Sequence, residues 1–160
     1  MKSRISYSGG ATALTVILTI AMLLWCIAMN NVKASFYTVL ALYIILIFAG
    51  LFFGAVYIKA DKNYIILGSP LRKKKIPMSQ VESVELFQAT MGAIRIFASG
   101  GFMGYWGIFR EGDIGKYYGF YGKASDCFLV RLKDGSKYVL GCNEPDKMVQ
   151  FIKSQITPSH

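Results

Sequence analysis

Histidine is nearly missing from this chain: the only copy is His160, its last residue. Imidazole is the side chain that titrates near neutral pH and a common zinc ligand, so its scarcity removes most histidine-based catalysis and most zinc sites. No Ser-His or Cys-His nucleophilic pair can form in the interior. Acidic residues are missing from the first third, since every Asp and Glu lies at or beyond Asp61. The carboxylates that follow offer no acid/base pair. Glu82 and Glu85 are three apart in a strand region and are expected on opposite sides, and Glu111 and Asp113 flank Gly112 in a loop. Cysteine is sparse, with three copies, and Cys26 falls in an apolar run, so a disulfide framework is not expected. A phosphate-cradling GxxxxGK[ST] is absent, because Gly115-Lys116-Tyr117 fails it, and no dinucleotide fingerprint occurs. No catalytic residue, cofactor or metal is therefore expected.

What is abundant is apolar sequence, unevenly placed. Before Lys59 the only charges are Lys2, Arg4 and Lys33. The uncharged run from Ala11 to Met29 would cover roughly 28 Å as a helix, close to a hydrocarbon core of about 30 Å. A second uncharged run, Ala34 to Ile58, is long enough to span with tilt. The short link NNVKAS between them makes an antiparallel hairpin. Trp25, Tyr37 and Tyr57 sit near the span ends, where aromatic rings prefer the interface. The competing readings are a cleaved signal peptide for the first run, since MKSR resembles a basic n-region, and a buried core helix for the second. Lys2 and Arg4 precede the first span, and Lys59, Lys62 and Arg72 to Lys75 follow the second, so both ends are expected on the cytoplasmic side. Gly50 and Gly54 have small-xxx-small spacing, suited to packing the two spans together or joining two copies. The expected division is a transmembrane hairpin at 1–59 and a β domain at 60–160.

After Ile58 the period changes. Short apolar or alternating runs bounded by turn residues predict strands at 64–67, 73–76, 81–89, 94–97, 116–121, 127–132 and 137–140. In VESVELFQA, Val84 and Leu86 should share one side and Glu85 and Phe87 the other. Asp134-Gly135 marks a hairpin in one of two registers. A three-residue loop sets Leu132 opposite Ser136 and gathers Phe128, Val130, Leu132, Tyr138 and Leu140 on one face, leaving Arg131 and Lys137 on the other. A two-residue loop sets Leu132 opposite Lys137. The cleaner separation favours the first, which pairs Cys127 with Gly141 and points Cys127 and Cys142 to opposite faces. Asn143 as N-cap, Pro145 in the first turn and the stripe Met148, Val149, Ile152 and Ile156 predict an amphipathic helix over about 144–156, followed by Pro158.

Tyr64-Ile65-Ile66, the stretch Ile76 to Val84, and above all Arg95, Phe97, Ser99-Gly100-Gly101 and Gly104-Tyr105-Trp106-Gly107 occur in an order that resembles the bacterial pleckstrin-homology (PH-like) family with two N-terminal transmembrane helices. The end YVLGCNEPDKMVQFI also fits. The resemblance implies a membrane-anchored α+β protein: a two-helix transmembrane hairpin, then a small antiparallel β-barrel closed by a C-terminal α-helix. It carries no function by itself.

Two segments stand out as candidate sites. Arg72, Lys73, Lys74 and Lys75 lie about a dozen residues past the second run, within reach of anionic headgroups; the bland reading is a solvated strand and turn that sets topology. Nine of the 16 glycines fall from Gly92 to Gly122, interleaved with aromatics. Phe102, Met103, Tyr105 and Trp106 then form either a wedge touching the bilayer or a partner, or a structural loop whose rings fill one end of the barrel. The net charge of +9 is read toward the membrane; binding of single-stranded nucleic acid to the basic and aromatic residues is the disfavoured alternative. The expected function is a non-enzymatic scaffold or binding module in the bacterial inner membrane, with the β domain on its cytoplasmic side. Its expected partners are anionic lipid, a membrane protein or a second copy. The alternative is a subunit or regulator of a membrane complex, docking through the Gly/aromatic loop.

Overall fold

The structure, a computed structural model, describes residues 1–28, 33–90 and 92–156. Residues 29–32, between the two apolar helices, and the residues after Ile156, Pro158 and His160 among them, lie outside the described residues. Two helices come early: α1 (Gly9–Ala28) and α2 (Lys33–Phe53). Ser8 caps α1, its Oγ accepting the Ala11 N–H at 3.2 Å. Threonine would expose a hydroxyl in an apolar helix, but Thr15, Thr19 and Thr38 each donate to the carbonyl four residues back at 2.8–2.9 Å. Both helices are long and apolar enough to cross a membrane. Only Ala11 and Gly50 are buried in them, whereas Ile17, Leu24, Ile27, Ile45 and Phe48 stand exposed. A soluble core helix buries such residues; these do not.

The second helix stops at Phe53, five residues before the apolar run ends. Its Leu51 carbonyl accepts the Leu71 N–H at 3.1 Å, which caps one orphan acceptor of the last turn. Tyr57 and Ile58, read as membrane-spanning, belong instead to a strand, β2 (Tyr57–Ala60). It lies between β1 (Lys2–Arg4) and β3 (Tyr64–Gly68), with β4 (Lys73–Pro77) outermost, all antiparallel. The chain thus enters the β domain twice, once before the helices and once after them. Asp61 turns β2 into β3 by accepting the Asn63 and Tyr64 amides at 3.0 and 2.8 Å, and these bonds hold its carboxyl below the usual range.

A single 3-10 turn, Met78–Gln80, crosses to the second sheet. That sheet comprises β5 (Val81–Leu86), β6 (Ile94–Gly101), β7 (Gly104–Glu111), β8 (Gly115–Tyr121), β9 (Cys127–Leu132) and β10 (Lys137–Gly141), in the order β5-β9-β10-β8-β7-β6. Val84 and Leu86 do share a face, opposite Val130 and Phe128, but Leu86 is exposed at the strand end. β7 was not read from sequence, because Gly104 and Gly107 break its alternation.

The expected small antiparallel barrel, with one end closed by the C-terminal helix, does not form as a barrel. The two sheets stay separate, and β10 runs parallel to β8. The reason is the route after β8: the chain leaves to make β9 beside β5, and β10 returns between β9 and β8. The sheets face each other over a core of Ile58, Ile65, Phe128, Val130 and Leu140. Helix α3 (Pro145–Ile156) closes one end, burying Met148, Val149 and Ile152. The other face of the second sheet is also covered, by a cluster of Phe109, Tyr117, Tyr121, Leu129 and Val139 under Ala89. Central strands β9 and β10 are therefore buried on both faces, although only one had been expected to be apolar.

The β9–β10 turn has the three-residue form. Leu132 donates to Ser136 O at 2.9 Å, and Gly135 takes a left-handed φ of 82° that suits glycine. Cys127 pairs with Gly141 and sits in the outer cluster, while Cys142 sits in the inter-sheet core. Burial pushes both thiols up from their ordinary pKa, which leaves little thiolate to react. Under mild oxidation the folded full-length protein should keep both thiols free by mass spectrometry; a Cys127–Cys142 bond would contradict this register, since a disulfide needs Cβ atoms about 3.5–4.5 Å apart.

Candidate binding surface at the helix ends

Strand alternation divides the basic run. Lys74 shares the inward side of β4 with buried Ile76, whereas Lys73 and Lys75 point outward, Lys75 over the Tyr64 ring at 5.5 Å. Arg72 lies in the turn just before β4, its guanidinium over Phe52 and Phe53 at 5.2 and 5.7 Å. Lys74 Nζ donates to the Tyr138 hydroxyl at 2.9 Å and lies over the rings of Tyr118 and Tyr138. The ion pairs among the described residues are Lys123–Asp126, Arg131–Glu85 and Lys147–Glu144, so neither Arg72 nor Lys74 has a carboxylate partner. Four cations adjacent in sequence thus become two pairs on different faces.

The glycine-aromatic segment is a hairpin, not a loop. Its tip, Phe102-Met103, needs positive φ at three of four successive sites: Gly101 (135°), Met103 (50°) and Gly104 (91°). The tip lies against α1 and α2. Thr15 Oγ1 accepts the Met103 N–H at 3.1 Å and lies 3.3 Å from Gly101 O. Phe102 is buried, and a Cβ on Gly50 would stand 2.5 Å from Met103 Sδ and 2.9 Å from the Phe102 ring. The small-xxx-small pair therefore makes room for the hairpin tip, not for another helix. Trp106 donates its Nε1–H to Phe102 O at 3.0 Å and stacks on Phe53 with centroids 5.3 Å apart. Tyr105 points the opposite way, stacked on Tyr121 at 5.1 Å in the outer cluster. The rings neither fill a barrel end nor project freely; Phe102, Met103 and Trp106 meet the chain's own helices.

These placements frame a groove of about 320 Å³. Arg72 and Lys74 stand on one side, Trp106 and Ile108 on the other, with Phe53 at the helix end. No Asp or Glu lines it. Tyr118 and Tyr138 were missed as lining residues: they become neighbours only through the parallel β8–β10 pairing, which no local signal announces. Phe53 was readable only as the end of an apolar run.

In the outer cluster Glu111 is a buried carboxylate. The Tyr117 hydroxyl donates to its Oε2 over a long 3.5 Å. Burial, with the Glu111 charge adding to it, pushes Tyr117 up to about 12, and burial raises Tyr121 as well.

Two facing sheets with a closing C-terminal helix, set beside two apolar helices, make up the architecture. Residues 55–156 match the family model described as Bacterial PH domain, and the chain belongs to that family. No curated protein and no solved structure matches it.

Two outcomes follow from this geometry. Thr15→Val keeps the shape but leaves the Met103 amide without its acceptor, a loss of about 1 kcal/mol or more; hydrogen exchange at Met103 should quicken, and Thr15→Ser should restore protection. The Tyr117 hydroxyl has a folded pKa above its ordinary 10.0, so its contribution is whole below pH of about 10 and is lost as pH rises toward about 12. Tyr117→Phe should make alkaline unfolding, followed by near-UV circular dichroism, less steep in that window.

Proposed function

We propose that this chain is a non-enzymatic, membrane-anchored binding or scaffold module. Both helices span the bacterial inner membrane, and the β domain lies on the cytoplasmic side with both termini. The observation that carries this reading is the docking of the β6–β7 tip on the first turns of α1 and the last turn of α2. It holds the domain at a set height against the helices, so that Arg72 stands level with the end of α2. The excess of Lys and Arg after α2, against Lys33 alone at the other end of the helices, favours this orientation. Anionic headgroups are the favoured contact of the Arg72–Lys75 run, because adjacent cations near a charged bilayer each add roughly 1 kcal/mol of attraction.

The second reading, a subunit of a membrane complex docking through the aromatic segment, loses much of its surface. Phe102 and Met103 are taken up by the chain's own helices. A homo-oligomer or partner would have to use other exposed apolar residues, such as Ile94 and Phe97.

The orientation is tested with a Cys26→Ala background in intact cells. Lys33→Cys should react with an impermeant maleimide from outside, and Asp134→Cys only after the membrane is opened. The reverse pattern would sink the orientation, and extraction of the protein by alkaline carbonate would sink the anchoring.

A further inference from the structure

The groove beside the end of α2 joins apolar walls and cations without carboxylate partners. We propose that it seats one anionic phospholipid of the surrounding bilayer, with the phosphate between Arg72 and Lys74 and the start of an acyl chain against Phe53, Trp106 and Ile108. This rests on the membrane-anchored reading and goes beyond it, because it replaces diffuse attraction of four cations by a site made of two.

Height comes first. The Leu71 N–H bonded to the Leu51 carbonyl fixes the β3–β4 turn beside the last turn of α2. Arg72, lying over Phe52 and Phe53, is therefore level with the helix end, where a spanning helix meets the headgroups. Charge comes second. Lys74 is half-buried, and its ammonium has three hydrogens but one hydrogen-bond acceptor, the neutral Tyr138 hydroxyl. A partly desolvated cation without an anion is unfavourable, and a phosphate oxygen would satisfy it together with Arg72. The third argument is apolar area. The volume of about 320 Å³ falls at the lower end of small-molecule sites, roughly 300–1,000 Å³. It holds part of one chain, with the remainder of the lipid in the bilayer. Phe97 stands at its mouth with 78% of its surface exposed, a ring that gains from lipid and not from water. A free phosphate would satisfy the two cations and leave these walls wet.

The test uses the full-length protein in nanodiscs of mixed phosphatidylcholine and phosphatidylglycerol, followed by release into detergent and native mass spectrometry. Wild type should retain a single phosphatidylglycerol. Arg72→Gln/Lys74→Gln should lower that retention about tenfold, whereas Lys73→Gln/Lys75→Gln, which removes the same charge from the outer face, should lower it far less. Ile108→Trp, which fills the groove without touching charge, should also lose the lipid. Thermal melts confirm that each variant is folded. Equal loss in the two charge doubles would overturn the site and leave the broader reading standing, as would equal retention of phosphatidylcholine. Displacement of the lipid by soluble glycerol phosphate would assign the cations to a free phosphate ester and overturn the lipid. A dimer mass, with the groove closed by a second copy, would overturn it too. Protein that never enters nanodiscs would overturn the anchoring reading along with the site.

Discussion

A backbone N–H held away from water must find an acceptor, and the amide of Met103 finds the hydroxyl of Thr15 on α1. The arrangement of the molecule depends on this contact and the packing around it. The β6–β7 hairpin reaches out of its sheet, and its tip turns sharply only because Gly101 and Gly104 accept positive φ. Gly50 leaves the space that Met103 and Phe102 occupy. A hairpin that would otherwise be a free edge becomes the joint between helices and β domain. The helices gain from it as well: they touch each other little, and the tip covers part of both.

The architecture around the joint is open: the two sheets face each other without a strand pair between them. Side chains partly bridge the gap. Lys74 crosses to Tyr138 and lies over Tyr118, Trp106 lies on Phe53, and what remains unfilled is the groove. On the far face of the second sheet, the stack of Tyr105, Tyr121, Phe109 and Tyr117 gives the hairpin a second buried side. The hairpin is thus held from both directions, which is what a rigid joint requires.

Much of this is legible in the sequence wherever the determinant is local. Asp134-Gly135 sets the turn and, through alternation, the opposite facing of Cys127 and Cys142. Asn143 to Ile156 shows an amphipathic helix that packs along its expected stripe, although the Asn143 Oδ1, expected as its cap, accepts the Ser6 hydroxyl at 2.7 Å. The resemblance read from Arg95 to Gly107 leads to the right family. Most of the failures are non-local. Ile58 looks like membrane because hydropathy does not distinguish a spanning helix from a buried strand; the stop is set by Gly54 and the cap from Leu71. Lys2 to Arg4 looks like a charged flank, and its pairing with β2 depends on a partner more than fifty residues away. Arg72 to Lys75 looks like one patch until β4 alternation separates it. Phe102 to Trp106 advertises a contact surface, but the sequence does not say that the contact is internal.

The docked joint is most directly tested by bridging its two sides in native membranes. Phe53 and Trp106 stack with centroids 5.3 Å apart, so Phe53→Cys/Trp106→Cys in a Cys26→Ala background should be joined in high yield by a short thiol-bridging reagent. The buried Cys127 and Cys142 stay silent, and the tip remains held by Thr15, Phe102 and Met103. Efficient intramolecular bridging is the result the account predicts. No bridging in folded protein, with both new thiols shown to be reactive, would contradict it and detach the β domain from the helices.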